Sequence, residues 1–154
     1  MQVTTTKRDA AFALLNRAFD VYLDHHDCLS AIVLAGSAED LMQGLLTQQG
    51  QSQYAARRQL LAGAREIAQA IDPEHAPISE KDTFGLMRGM FNWLRHSDKK
   101  DEPDSVTWDL DREAETIIYR ALQNWDTLKG LEPPRATEFV NAKLAIQQRN
   151  QLST

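Results

Sequence analysis

An all-α fold, an up-and-down helical bundle of five or six helices, is what the sequence predicts, and three observations carry that expectation. Apolar residues recur every three or four positions through most of the chain, the period of helices that turn one face to a core. The prolines Pro73, Pro77, Pro103, Pro133 and Pro134 all fall between periodic segments, as residues that break helix interiors should. Val106-Thr-Trp108 reads as a short extended piece, and nothing suggests a sheet or an internal repeat.

The first helix is expected from about Thr6 to Leu23, with Ala11, Leu14, Leu15, Ala18 and Tyr22 as its stripe and Phe12 and Phe19 widening it. Asp24-His-His-Asp27 then makes a polar turn. The second helix, about Cys28 to Thr47, is apolar nearly all round, which marks a central helix, and Gly50 suits its C-terminal end. A third spans about Ser52 to Ile71, with Leu60, Leu61, Ala64, Ile67, Ala68 and Ile71 on its stripe. The fourth starts near Ser79 or Asp82, either able to cap it, and runs to His96. Ala114, Ile117, Ile118, Ala121, Leu122, Trp125 and Leu128 define a fifth that ends at Gly130. Pro134 at a first turn opens a sixth, more polar helix to about Gln148. Residues 1–132 therefore form a helical bundle domain, and 133–154 a C-terminal helix or tail packed on that domain or on a partner subunit.

Composition narrows the function classes. At 154 residues, 42% hydrophobic and 25% charged, the chain is that of an ordinary one-core globular domain. A net charge of −5 argues against a general polyanion binder, because such proteins carry an excess of Lys and Arg that displaces phosphate counterions. The acids gather between Asp98 and Glu115, while Arg57, Arg58 and Arg65 and then Arg135, Lys143 and Arg149 make two mildly basic segments. A nucleic-acid partner would have to use such a local patch. No apolar run approaches the roughly 20 residues of a bilayer span and the N-terminal residues lack the apolar core of a secretory signal, so a cytoplasmic protein with no membrane association is expected. The single cysteine, Cys28, sits in an apolar stretch and reads as a small core hydrophobe.

No metal or cofactor is expected. Adjacent His25 and His26 point about 100° apart on a helix and do not readily share an ion. The Glu-x-x-His pairs of di-iron bundles, the spaced ligands and central glycine of an EF-hand, Gly-rich phosphate loops and zinc-type Cys pairs do not occur in the chain.

Two segments carry the functional signal. On a helix, Gly85, Arg88, Gly89, Asn92 and His96 share one arc, with Phe84, Met87, Met90, Phe91, Trp93 and Leu94 around the rest. Each glycine costs about 1 kcal/mol relative to alanine inside a helix, so this face should be approached closely by another backbone, subunit or ligand. In the second helix, Leu34-Ala-Gly-Ser-Ala-Glu-Asp40 places small residues beside Glu39, a carboxylate in an apolar helix that needs a partner. Arg88, Arg95, Asn92 and His96 are the donors if the second and fourth helices pack. Such a pairing reads equally as a polar clamp fixing helix register and as a site.

The Leu34-Ala-Gly-Ser-Ala-Glu39 helix together with Asn92-Trp-Leu-Arg-His96 resembles the HEPN superfamily, and more closely small bacterial helical proteins related to it. The resemblance implies a dimeric all-α domain, either a non-catalytic binding module or a metal-independent ribonuclease of toxin–antitoxin or defence systems. Asn92 and His96 match the Asn-x-x-x-His part of the family motif; the motif arginine does not match, since position 91 is Phe, Arg88 lies upstream and Arg95 directly precedes the histidine. In a ribonuclease, His96 would be the acid or base, with an unperturbed pKa of about 6.5. Arg88 or Arg95 would hold the phosphate, Asn92 would orient ligand or histidine, and Glu39 would hold an arginine. The leading expectation is a binding or interaction protein with a polar groove around Asn92 and His96, homodimeric through the Gly85 and Gly89 face, with RNA, a nucleotide or a protein as partner. The alternative is a ribonuclease.

Overall fold

The computed structural model describes residues 4–74, 78–96 and 105–151, the side chains of 146–151 excepted. Every regular element among the described residues is helical: α1 (Lys7–His25), α2 (Cys28–Gln48), a 3-10 turn (Ser52–Tyr54), α3 (Ala56–Ile71), α4 (Glu80–Met87), α5 (Gly89–Arg95), α6 (Leu110–Thr127) and α7 (Ala136–Gln151). Val106 to Trp108 joins no strand. The acidic stretch is described only from Ser105 onward, and Ser97 to Asp104 lie outside the described residues.

Local chemistry sets the helix ends. Thr6 and Asp9 close a capping box at α1, Asp9 N donating to Thr6 Oγ1 at 3.0 Å. His26 then takes a left-handed conformation with φ 50°, and Asp27 accepts from Ser30 N at 3.0 Å to start α2, so Asp24 to Asp27 is a two-helix junction rather than a free turn. Ser79, not Asp82, caps α4, accepting from Asp82 N at 3.3 Å. Asp109 caps α6 in the same way. The final helix begins at Ala136, two residues after Pro134, so the proline lies outside the first turn.

The core sits where α1, α2 and α6 meet, with Leu15, Phe19, Ile32, Met42, Leu46, Ile117 and Ile118 fully buried. Phe139 of α7 closes it against Phe19 and Tyr22, and Trp125 stacks on Phe12 at 5.0 Å while its Nε1 donates to Leu131 O. Cys28 packs at the edge of this core and its Sγ donates to Asp111 at 3.3 Å. The expectation that no apolar segment reaches bilayer length is corrected: α2 is long and apolar enough to cross a membrane by length and composition. In this fold it is the central helix, covered by α1 and α6 and carrying a buried ion pair at Glu39.

The fourth helix differs from expectation. One continuous helix to His96 was expected, but α4 and α5 meet at Arg88, whose φ −120° and ψ 11° lie outside the helical range. The cause lies across the bundle, where Arg120 Nη2 donates to Met87 O at 2.9 Å and takes a carbonyl that a regular helix would use itself.

Candidate functional site

An ion network links α2, α3, α5 and α6. Glu39, 1% exposed in the middle of α2, accepts two hydrogen bonds from Arg120, Nε at 2.8 Å and Nη2 at 3.2 Å. This two-pronged geometry is the strongest form of a guanidinium–carboxylate pair. Arg57 Nε lies 3.0 Å from the same carboxylate, an ion contact without hydrogen-bond alignment, and Arg57 Nη2 donates to Asp40 Oδ1 at 2.9 Å. Asp40 Oδ2 is shared by Arg88 Nη2 and by Arg95 Nη1, the latter at 3.5 Å.

Packing fixes these charges. Gly36, one helical turn before Asp40, lies under the buried Phe91 ring, where any side chain would collide with it. The small residues of α2 thus admit α5, as their pattern predicts. Arg88 and Arg95, one turn on either side of Phe91 in the chain, each place their guanidinium 4.9 Å from its ring centre. Arg57 lies over Phe84 in the same manner at 5.9 Å.

The site therefore grades from a sealed interior to an open rim. Glu39, Arg57 and Arg120 are buried, Arg88 and Asp40 are partly covered, and Arg95 is the most exposed, its side chain 45% accessible. Four guanidinium groups face two carboxylates among the described residues. Burial pushes the Arg88 pKa down, Asp40 opposes that shift, and the cations Arg57 and Arg95 add to it. Arg88 Nε is buried with no hydrogen-bond partner among the described residues.

The expected site residues are only partly brought together. Arg88 and Arg95 join the cluster, but through Asp40; Glu39 belongs to it through Arg57 and Arg120, which corrects its expected pairing with Arg88, Arg95, Asn92 or His96. Asn92 is half-buried and His96 exposed, and no described residue hydrogen-bonds either side chain. Their backbones keep the fourfold spacing, Asn92 N donating to Arg88 O at 2.8 Å and His96 N to Asn92 O at 3.1 Å. His96 itself has left the helix with φ −122° and ψ 98°. The close approach expected at Gly89 comes from within the chain, because the Trp108 ring fills the space a side chain would need; Gly85 faces open space.

Asp40, Arg57 and Arg120 are missing from the expected set. Arg120 had a legible signal: counted from Ile117, Arg120, Ala121 and Asn124 follow at three, four and seven residues, which sets an arginine inside a buried stripe. Nearby, Asn124 Oδ1 accepts from Ala56 N at 2.7 Å, satisfying an orphan donor at the start of α3. Among the described residues no three His, Cys, Asp or Glu side chains converge as metal ligands. No family model matches the chain, and neither the curated proteins nor the solved structures compared with it provide a match.

Proposed function

We propose that this chain is a HEPN-like helical binding module that takes the phosphate group of a nucleotide or of single-stranded RNA at the Arg88 and Arg95 rim, with Asn92 and His96 as its polar flank. One observation carries the reading: Arg88 and Arg95 compete for a single oxygen of Asp40, a local cation excess among the described residues of a chain of net charge −5. A phosphate oxygen at Arg95 would meet exposed donors whose orientation is already held by the Phe91 ring, so little side-chain entropy is lost on binding. An open groove of about 400 Å³ between α2 and α5 is lined by Leu29, Ser30, Val33, Leu34 and Leu94, the last being the residue before Arg95 in the chain, and offers an apolar surface to a base.

Titration of the full-length chain with a labelled single-stranded RNA oligomer and separately with adenosine monophosphate tests this. Binding of either, weakened at least about tenfold by Arg95→Ala and reduced by added salt, supports the reading. A preference for the oligomer identifies RNA as the source of the phosphate. No binding of either probe, or binding indifferent to Arg95→Ala, overturns it.

The ribonuclease reading rests on the exposed His96 next to Arg95. Metal-independent cleavage would need that imidazole at the 2′-hydroxyl or the leaving oxygen. RNA cut in the presence of EDTA by the wild-type chain and not by His96→Ala would establish it; equal residual cleavage by both would dismiss it.

A further inference from the structure

Between α1, α6 and α7 the chain closes round a cavity of about 280 Å³, more enclosed than the groove between α2 and α5. Its inner wall is aromatic and fixed: Tyr22 and Phe139, both buried, meet edge to face with ring centres 5.8 Å apart. Leu23 and Ala142 extend the apolar lining. Four polar side chains also line the cavity, and they are not equivalent. Glu138 is already engaged, since Arg135 donates to both of its oxygens, at 2.9 and 2.8 Å. His26 stands exposed on the left-handed residue that follows α1. Glu115 and Lys143 are both partly covered and do not close on one another. Lys143 Nζ stops 3.7 Å from Glu115 Oε2, beyond hydrogen-bond length, where a self-sufficient pair would close to about 2.8 Å. The Tyr22 hydroxyl donates to the other oxygen, Oε1, at 3.2 Å, and the ammonium is held 5.2 Å from the Tyr119 ring centre. Among the described residues, neither Oε2 nor the ammonium has a hydrogen-bond partner.

We infer that this cavity binds a free α-amino acid with an apolar side chain. Such a zwitterion carries its ammonium and its carboxylate on one carbon, so it can lie across the open pair with each charge against its complement. The ligand ammonium donates to Glu115 Oε2, and the ligand carboxylate accepts from Lys143 Nζ. A ligand with a single charge satisfies one of the two and leaves the other without its counter-ion. The apolar side chain packs on Tyr22, Phe139, Leu23 and Ala142, in a volume that suits one small molecule of this size. Phe139 and Lys143 stand one turn apart on α7, so the helix that supplies the wall also supplies the cation, and a bound ligand ties α6 to α7. The site lies on other helices than Arg88 and Arg95 and does not depend on the phosphate-binding reading.

Calorimetric titration of the full chain with L-leucine and with L-phenylalanine tests this, with saturable one-to-one binding expected. Three analogues of leucine are read on the same wild-type chain. Leucinamide, which lacks the carboxylate, and N-acetyl-leucine, which lacks the ammonium, should each bind at least about tenfold more weakly. Glycine, with no side chain to bury, should also lose at least about tenfold. Lys143→Met should weaken leucine binding by a similar factor. Ala142→Phe, at an exposed position of the lining, should abolish binding by filling the cavity while circular dichroism retains the helical signal. No saturation by either amino acid at about 10 mM overturns the proposal. So does equal binding of leucinamide, N-acetyl-leucine or glycine, or leucine binding indifferent to Lys143→Met or to Ala142→Phe.

Discussion

Glu39 is the residue whose removal should be felt most. Its carboxylate lies between Arg57 and Arg120, all three side chains at most 7% exposed, so its loss removes the carboxylate that Arg120 grips in a low-dielectric interior and leaves Arg57 to the half-covered Asp40. Glu39→Ala is therefore expected to cost about 3–5 kcal/mol in urea unfolding. Asp40→Asn should cost much less, about 1 kcal/mol or below, because water already screens that carboxylate. Similar losses for both would mean that the network does not grade from sealed to open. A second residue-scale effect belongs to alkaline pH. Burial, with Asp111 beside it, pushes the Cys28 thiol from 9.0 up to about 11, and burial with Glu115 raises the Tyr22 phenol as well. The unfolded chain releases these protons at lower pH than the folded chain, so their stabilising contribution is complete below about pH 9 and is lost as pH rises from there. Unfolding midpoints measured between pH 8 and 11 should fall with pH, and Cys28→Ala should flatten the part between 9 and 11. A midpoint constant over that range would contradict the argument.

Two glycines on α2 are alike in sequence and opposite in role. At Gly36 the Phe91 ring occupies the place of a side chain, while at Gly44 nothing lies within 4 Å. Gly36→Ala is expected to cost about 1–3 kcal/mol, because ring and helix must shift to admit a methyl group. It should also weaken the proposed phosphate binding, since α5 carries Arg95 and Phe91 orients it. Gly44→Ala should gain about 0.5–1 kcal/mol, as alanine restricts the unfolded chain without disturbing an exposed helix face. Thermal unfolding of the two variants checks both signs, and a shared sign would refute the assignment. The small-residue run on α2 was legible because close helix packing demands such residues. The division of the fourth segment was not, because its cause, the Arg120 guanidinium at Met87 O, comes from a residue more than 30 positions later. Periodicity reports the local preference of a helix and is blind to a distant donor that takes one of its carbonyls. For the same reason the sequence shows that Glu39 needs a partner without showing that it is Arg120: burial follows from the pattern of one helix, but pairing follows from which helices meet.

At the scale of the whole molecule, the fold is a tight assembly of α1, α2 and α6 bearing a less embedded α3 and α4. The apolar stripes of the first two core helices and of α6 marked that assembly in advance, since each stripe is buried by the others. The stripe of α3 was equally clear in the sequence, yet most of it is not buried among the described residues, because amphipathicity states that a face will be buried without stating by what. This division should govern the opening of the native state. Amides of α2 and α6 close on fully buried side chains on several sides and can exchange only when the core opens, whereas those of α3 beyond Leu61 are held by a helix with little tertiary burial. Hydrogen exchange at low protein concentration should therefore show the slowest rates in α2 and α6 and markedly faster rates from Ala62 to Ile71. Uniform protection at low concentration would mean that α3 unfolds only with the core.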